Sequence, residues 1–379
     1  MRKYLKFIAL SLLAAAILWW FGSKLDWAGV RAALGRSDRR LIGLAVALIC
    51  AGYLVRAYRW RALLAPLAPE ASLRELFAAT TVGFGAIFLI GRAGEVMRPT
   101  FLSLRDRSVR PGAAFVTIAV ERIYDMAAVV LMFAANLLVF HPPGGDPATF
   151  ARVRQAGFVL LAAAACGIAG LILFRRFADA VIGRLEAWFA RLPKALARVG
   201  RILTGLLAQL ASSLGVLVDV RELLVTTGWT ALLWGSILLA DLLVFRAFGL
   251  ELGVSETIFV MGWALVGSLV PTPGGAAGAF HLATAAGLMV LGATRTREEA
   301  AAISIVLHLA LFGPALFFGL YFFLRSDVSL AHLRRLAGGG GGEDETIKSG
   351  HATMPVAGQL SGEEKSRAVK GDEPRRARA

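Results

Sequence analysis

Residues 121–140 read ERIYDMAAVVLMFAANLLVF, three charges at the head of an unbroken apolar run. Met126 to Phe140 is 15 residues, about 22 Å of helix, short of the roughly 30 Å hydrocarbon core of a bilayer. A span built on this run must begin near Glu121, which carries Glu121, Arg122 and Asp125 into the membrane. Glu121 and Asp125 are four apart and share a helix face. A charge at the centre of a span costs about 2.5–3.5 kcal/mol on insertion scales, and less near an interface. Such charges are retained either for function or for an ion pair that locks helices together.

The rest of the chain fits a membrane setting. Of 379 residues, 57% are hydrophobic and 18% charged, against about 45–50% and about 25% in soluble domains. The net charge is +15, yet the tail from Glu343 to Ala379 holds seven acids and seven bases, so the excess lies upstream. A nucleic-acid binder is also basic, but here most Lys and Arg residues flank apolar spans. That points to membrane topology and anionic lipid, and to no nucleic-acid partner. Cys50 and Cys166 fall inside expected spans as apolar fillers, with no disulfide framework or metal site around them.

Six segments read as full spans: about 5–22, 41–62, 111–140, 154–174, 223–247 and 299–325. The first could be a secretory signal, but its apolar stretch is long and Trp19-Trp20 suits an interfacial belt, so it reads as an uncleaved helix. Two further segments are apolar but broken at their centres, at about 73–104 and 254–292. Irregular backbone at membrane depth survives only inside protein or a watery cavity, so both read as re-entrant hairpins. The expected fold is an all-α polytopic membrane protein with six spans and two hairpins.

Loop charges give an orientation. The 175–222 loop carries eight Lys or Arg residues and reads as cytoplasmic, and the 141–151 loop carries none. Both termini then lie in the cytoplasm, at the inner (cell) membrane. The 24–40 loop disagrees, being external by parity yet basic. Each half of the chain has two spans, a hairpin and a span, in opposite orientations. Glu75 to Gly94 is the same 19-residue step as Glu256 to Gly275, which fits an inverted repeat. Residues 1–336 form the membrane domain. Within it, 175–222 holds a basic amphipathic helix suited to the anionic inner face, with apolar residues from Val181 to Leu203 at three- and four-residue steps. The polar residues within 202–220 favour a surface or packing helix over a crossing. Residues 337–379 read as a disordered Gly-rich and charged tail.

The candidate substrate-binding residues lie around the breaks. Arg92, Glu95 and Arg98 surround Gly91 and Gly94; two arginines can fork onto a phosphate, and a helix starting near Glu95 would offer free N–H groups to an anion. The same residues could form a plain cytoplasmic loop. Pro271, Pro273, Gly274 and Gly275 break the second hairpin, and the nearby His281 is placed either to switch protonation or to pack. His308 reads as a packing residue. Arg56 and Arg59 close the second span on one face, where snorkelling to headgroups competes with substrate contact. Asp241 and Arg246 in the fifth span rank lower.

Four motifs carry a family resemblance: YLVRAYRWRALL (Tyr53–Leu64), GRAGEVMRP (Gly91–Pro99), ERIYD (Glu121–Asp125) and PTPGGAAGAFH (Pro271–His281). In this order they resemble the lysylphosphatidylglycerol synthase transmembrane region family, also called flippase-like, over roughly residues 5–325. The resemblance implies a multi-span protein with re-entrant segments that handles lipids, such as aminoacylated phosphatidylglycerol or lipids of polyprenyl- and hopanoid-related pathways. Bifunctional members append an aminoacyl-transferase domain, which nothing after Leu336 would supply. No Walker loop, dinucleotide fingerprint, GxSxG or HExxH motif occurs, so no enzyme activity and no cofactor are expected. The leading expectation is a translocase or transporter for an anionic lipid. Its rivals are a proton-coupled small-solute transporter and a non-transporting partner of a lipid-biosynthetic enzyme.

Overall fold

Apolar runs as long as these satisfy every backbone N–H and C=O only by coiling, and helix is the only regular structure among the described residues. The computed structural model describes residues 27–141, 147–191, 193–213, 220–270 and 277–326. The expected span at 5–22, the hairpin break at Pro271, Pro273, Gly274 and Gly275, and the tail 337–379 lie outside them. The helices are α1 (Trp27–Arg36), α2 (Arg39–Leu64), α3 (Leu73–Ile90), α4 (Met97–Arg105), α5 (Pro111–Val139), α6 (Pro147–Phe189), α7 (Lys194–Ser213), α8 (Val220–Ala247), α9 (Val254–Leu269), α10 (Ala277–Val290) and α11 (Arg297–Arg325). A 3₁₀ stretch, Gly91–Val96, joins α3 to α4.

Local chemistry sets several boundaries. Asp38 caps α2 by accepting from the Arg40 N–H at 2.8 Å. Pro111 opens α5, where its missing N–H costs nothing. At the start of α11 the Thr296 hydroxyl accepts from the Glu299 N–H, and the Glu299 carboxylate reaches back to the Arg295 N–H, a variant of the capping box.

Among the described residues five helices are long and apolar enough to cross a membrane: α2, α5, α8, α11 and the Arg154–Phe189 part of α6. They correspond to five of the six expected spans. One boundary needs correction. The span expected to end at 174 runs on through Arg175 and Arg176 to Phe189, because two arginines end an apolar run without ending a helix; their helix propensity is high. The basic amphipathic helix expected from Val181 to Leu203 within 175–222 is therefore the end of α6 followed by α7.

The core forms where α2 and α8 pack along each other, with α11 beside them. Asp38 N–H donates to the Ala247 carbonyl at 2.8 Å, joining the start of α2 to the end of α8. Gly52 lies against Leu233 and Ser236 further along, so the two helices run antiparallel. Ala45, Ile49, Leu233, Ile237, Ala240 and Val244 fill the seam.

Each broken segment is a pair of helices folded on one another. α4 packs back along α3, and Arg105 holds Glu75 across their bases through two bonds of 2.9 Å. α10 packs back along α9, where Gly267 meets Ala279 and Ala283. α3 and α10 both rest on α11, which brings the two hairpins onto one helix.

Candidate functional site

The charges that open α5 are not left in the apolar interior alone. Arg59, near the end of α2, and Glu121 are fully buried, and Asp125 and Arg98 are 7% and 4% exposed. Arg98 donates to Glu121 Oε1 at 2.6 Å and to Oε2 at 2.9 Å. Arg59 donates to Asp125 Oδ1 at 2.7 Å and to Oδ2 at 3.2 Å, and also lies 3.2 Å from Glu121 Oε1. Arg122 closes the group, 3.0 Å from Glu121 and 3.4 Å from Asp125. Two forked guanidinium–carboxylate pairs thus join α2, α4 and α5.

A layer of neutral groups fixes their directions. Trp234 of α8 donates to Asp125 Oδ1 at 3.2 Å, and Thr230 accepts from Arg59 at 3.3 Å. The Arg98 guanidinium sits 4.1 Å above the Trp60 ring, whose indole N–H is bonded to Thr117 at 3.0 Å. Arg98 reaches this place because α3 gives way at Gly83, where a Cβ would lie 2.6 Å from that of Arg98. Gly94 does the same for the 3₁₀ stretch: a Cβ there would enter the backbone of Ala86 and Ile87.

The structure therefore gathers Arg59, Arg98, Glu121, Arg122 and Asp125 into one cluster. Arg56, half-buried one turn before Arg59, lies 4.5 Å from the Phe84 ring centre and makes no ion pair among the described residues. Arg98 is also within 6.0 Å of Phe84, so that ring is the shared wall between Arg56 and the cluster. Glu95 forms no ion pair among the described residues, and attracts Arg122 only at longer range. The carboxylates that do the neutralising are Glu121 and Asp125. The second arm of the hairpin starts at Met97, two residues past Glu95, with Val96 as a cap that offers no side-chain bond. The backbone of Arg92 belongs to the 3₁₀ stretch, but its side chain lies outside the described residues.

Sequence reasoning missed Thr230, Trp234 and Trp60. Thr226, Thr230 and Trp234 recur every four residues along α8, a polar stripe on an otherwise apolar helix, which is the signal that would have found them.

His281 of α10 meets a partner that its sequence neighbourhood does not suggest. Its Nε2 lies 3.1 Å from Nδ1 of His308 on α11. Phe280, Phe88 and Phe312 enclose the pair, with ring centres 4.9–5.3 Å from that of His308. Phe88 is one turn beyond Phe84 on α3, so one helix carries both the wall of the charge cluster and the wall of the histidine pair. A separate concave patch of about 500 Å³, lined by Arg246, Gly249 and Leu250–Gly253, sits in the turn from α8 to α9, and no residue of either group lines it.

Long apolar helices, helical hairpins and a charge cluster between them define a multi-pass membrane protein. The chain belongs to the lysylphosphatidylglycerol synthase TM region family, whose family model matches residues 7–319; this links it to lipid metabolism. No curated protein matches the chain.

Proposed function

We propose that this protein is a lipid translocase without enzyme activity that binds an anionic headgroup beside the cluster of α2, α4 and α5. The observation that carries this reading is a charge imbalance. Among the described side chains, Arg56, Arg59, Arg98 and Arg122 lie with two directly paired carboxylates, Glu121 and Asp125, and Glu95 attracts Arg122 only at longer range, so at least one positive charge is left over. A lone cation beside apolar helices is costly, and a phosphate group would balance it. Arg56 is the guanidinium without a paired carboxylate among the described residues, whereas Arg59, Arg98 and Arg122 each have one.

In this reading both hairpins are re-entrant, the two halves of the chain are an inverted repeat, and both termini face the cytoplasm at the cell membrane. The lipid headgroup would pass between α3 and α10 while its tails stay in the bilayer. The protein needs no nucleic acid and no cofactor for this task.

The test is reconstitution in liposomes carrying headgroup-labelled phosphatidylglycerol or phosphatidylcholine. The protein should move the first faster than the second, and Arg56→Gln should remove the difference. Equal rates for both lipids and both proteins would reject the anion site. Flux of a water-soluble solute without any lipid movement would instead favour a solute transporter. A stable complex with a lipid-biosynthetic enzyme, without flux, would favour a docking role.

A further inference from the structure

One buried acid stands apart from all these pairs. Asp241 is 1% exposed, and its Oδ1 has no hydrogen-bond partner among the described residues. It lies on the buried stripe of α8 with Ile237, Ala240, Val244 and Phe245, about 16 Å along the helix axis from Thr230 and about 10 Å from Trp234, the two α8 residues that touch the charge cluster.

The helices packed on α8 are α2, α5, α9 and α11. Asp38 meets Ala247 and Gly52 meets Ser236, so the part of α2 level with Asp241 is Ile42–Ile49, where no side chain titrates. Cys50 and Tyr53 come next on α2, and the Tyr53 hydroxyl donates to the Leu311 carbonyl. On α11, His308 stands at a comparable height but is turned to His281 and Phe280. On α5, Asp125 is two turns away along α8, held by Trp234. On α9, Glu256 sits in the first turn. None of these groups forms an ion pair or hydrogen bond with Asp241 among the described residues.

The contrast with α5 is instructive. Glu121 and Asp125 each touch two or more guanidiniums, which balance their charge. Asp241 has no cation beside it among the described residues. A bare carboxylate in apolar surroundings is far too costly to persist, and such groups neutralise instead. We infer that Asp241 is a proton-binding site, kept as a neutral carboxylic acid within the bundle and deprotonated only when water reaches that part of α8.

On deprotonation the O–H bond breaks, its electron pair stays on the carboxylate, and the proton passes to water. Because α8 also presents Thr230 and Trp234 to the arginine–carboxylate cluster, a shift of this helix would act on both sites. Resting on the translocase reading, this makes a proton gradient the coupling force for lipid movement, delivered through Asp241 and not through Glu121 or Asp125.

Infrared spectra of the purified protein in lipid nanodiscs at neutral pH decide the proton site. Wild type should show the carbonyl band of a protonated carboxyl group, absent from Asp241→Asn. No such band in wild type, or a band that the substitution leaves in place, would overturn the assignment. Loss of the band when sodium replaces choline would make a metal cation the occupant, with the same result. Asparagine copies the neutral acid in shape, so the variant should melt as wild type does.

Proteoliposomes then test coupling with labelled phosphatidylglycerol. A pH gradient should speed wild-type transport, while Asp241→Asn should exchange lipid but ignore the gradient. A variant that follows the gradient as wild type does would overturn the coupling role. If wild type moves no lipid, the translocase reading fails, and the infrared band still decides whether Asp241 holds a proton.

Discussion

Arg98 and Glu121 meet through two parallel bonds of 2.6 and 2.9 Å, with the guanidinium stacked on Trp60 and the carboxylate fully buried. This pair ties the second arm of the first hairpin to α5. It therefore fixes where the broken segment ends and where the charge cluster begins. A buried pair of this kind adds little net stability, because both ions lose their water. Removing one partner is another matter.

Glu121→Gln should destabilise the protein by about 3–5 kcal/mol, since it leaves Arg98 and Arg59 short of a counter-charge in an apolar site. Arg98→Lys should recover little of the loss suffered by Arg98→Ala. A lysine offers a point charge where the site is built for a planar fork and a stacking face. Thermal unfolding of the purified variants in detergent measures both. A Gln variant as stable as wild type would contradict the buried pairing.

The α3 backbone sets a second expectation. Gly83→Ala would push its Cβ into Arg98, and Gly94→Ala would push its own into the backbone of Ala86 and Ile87. Overpacking of this sort costs about 1–3 kcal/mol. Gly94 should be the more damaging of the two, because its Cβ would meet three backbone atoms of Ala86 and Ile87 within 2.9 Å, whereas that of Gly83 would meet only the Arg98 Cβ so closely. The order of melting temperatures for the two variants checks this.

Several of these features were open to sequence reading, and the reasons for the others are physical. Five helices long and apolar enough to cross a membrane were legible because lipid demands a continuous apolar run, which sequence displays directly. The acid pair Glu121 and Asp125 was legible because a helix places residues four apart on one face. The pairing of Arg59 was not, since snorkelling and burial require the same apolar flank around a long cationic side chain. His308 read as packing without a partner because His281 is 27 residues away, and only the fold of α10 against α11 joins them. The end of α6 was misread because positive-inside charge marks the membrane surface, while nothing in Arg175-Arg176 opposes helix.

The loop between α4 and α5 supports a pH experiment outside the spans. Burial pushes the Asp106 carboxyl up, but the Ser108 hydroxyl and the Ser72 and Ser108 N–H groups outweigh it and hold the group below its ordinary value of 3.8. The lowered value means stability that is fully present above the unfolded-state pKa and lost as pH falls through the folded-state value. Wild type should thus lose this contribution only in strong acid. Asp106→Ala should cost about 0.5–1.5 kcal/mol at neutral pH, at the low end because the group is only partly buried. The difference in melting temperature between the two proteins should shrink under strong acid. A difference that stays constant into strong acid would show that the carboxylate is not what matters.

The histidine pair makes the last prediction. With both rings neutral, a bond between His281 Nε2 and His308 Nδ1 needs one N–H and one lone pair, so the two rings must hold complementary tautomers. His308→Leu keeps the apolar contacts with Phe88, Phe280 and Phe312 but removes that bond. It leaves the His281 nitrogen buried and unmatched on that side. The expected cost is about 1–3 kcal/mol. Replacing both residues together, His281→Leu with His308→Leu, should restore part of the loss, because the His281 Nε2 left without His308 in the single variant is then removed too. Nitrogen-15 NMR of the wild type, with labelled histidine, should show one protonated and one bare ring nitrogen coupled across the bond. Additive losses in the double variant, with no such coupling, would mean that the two rings merely pack.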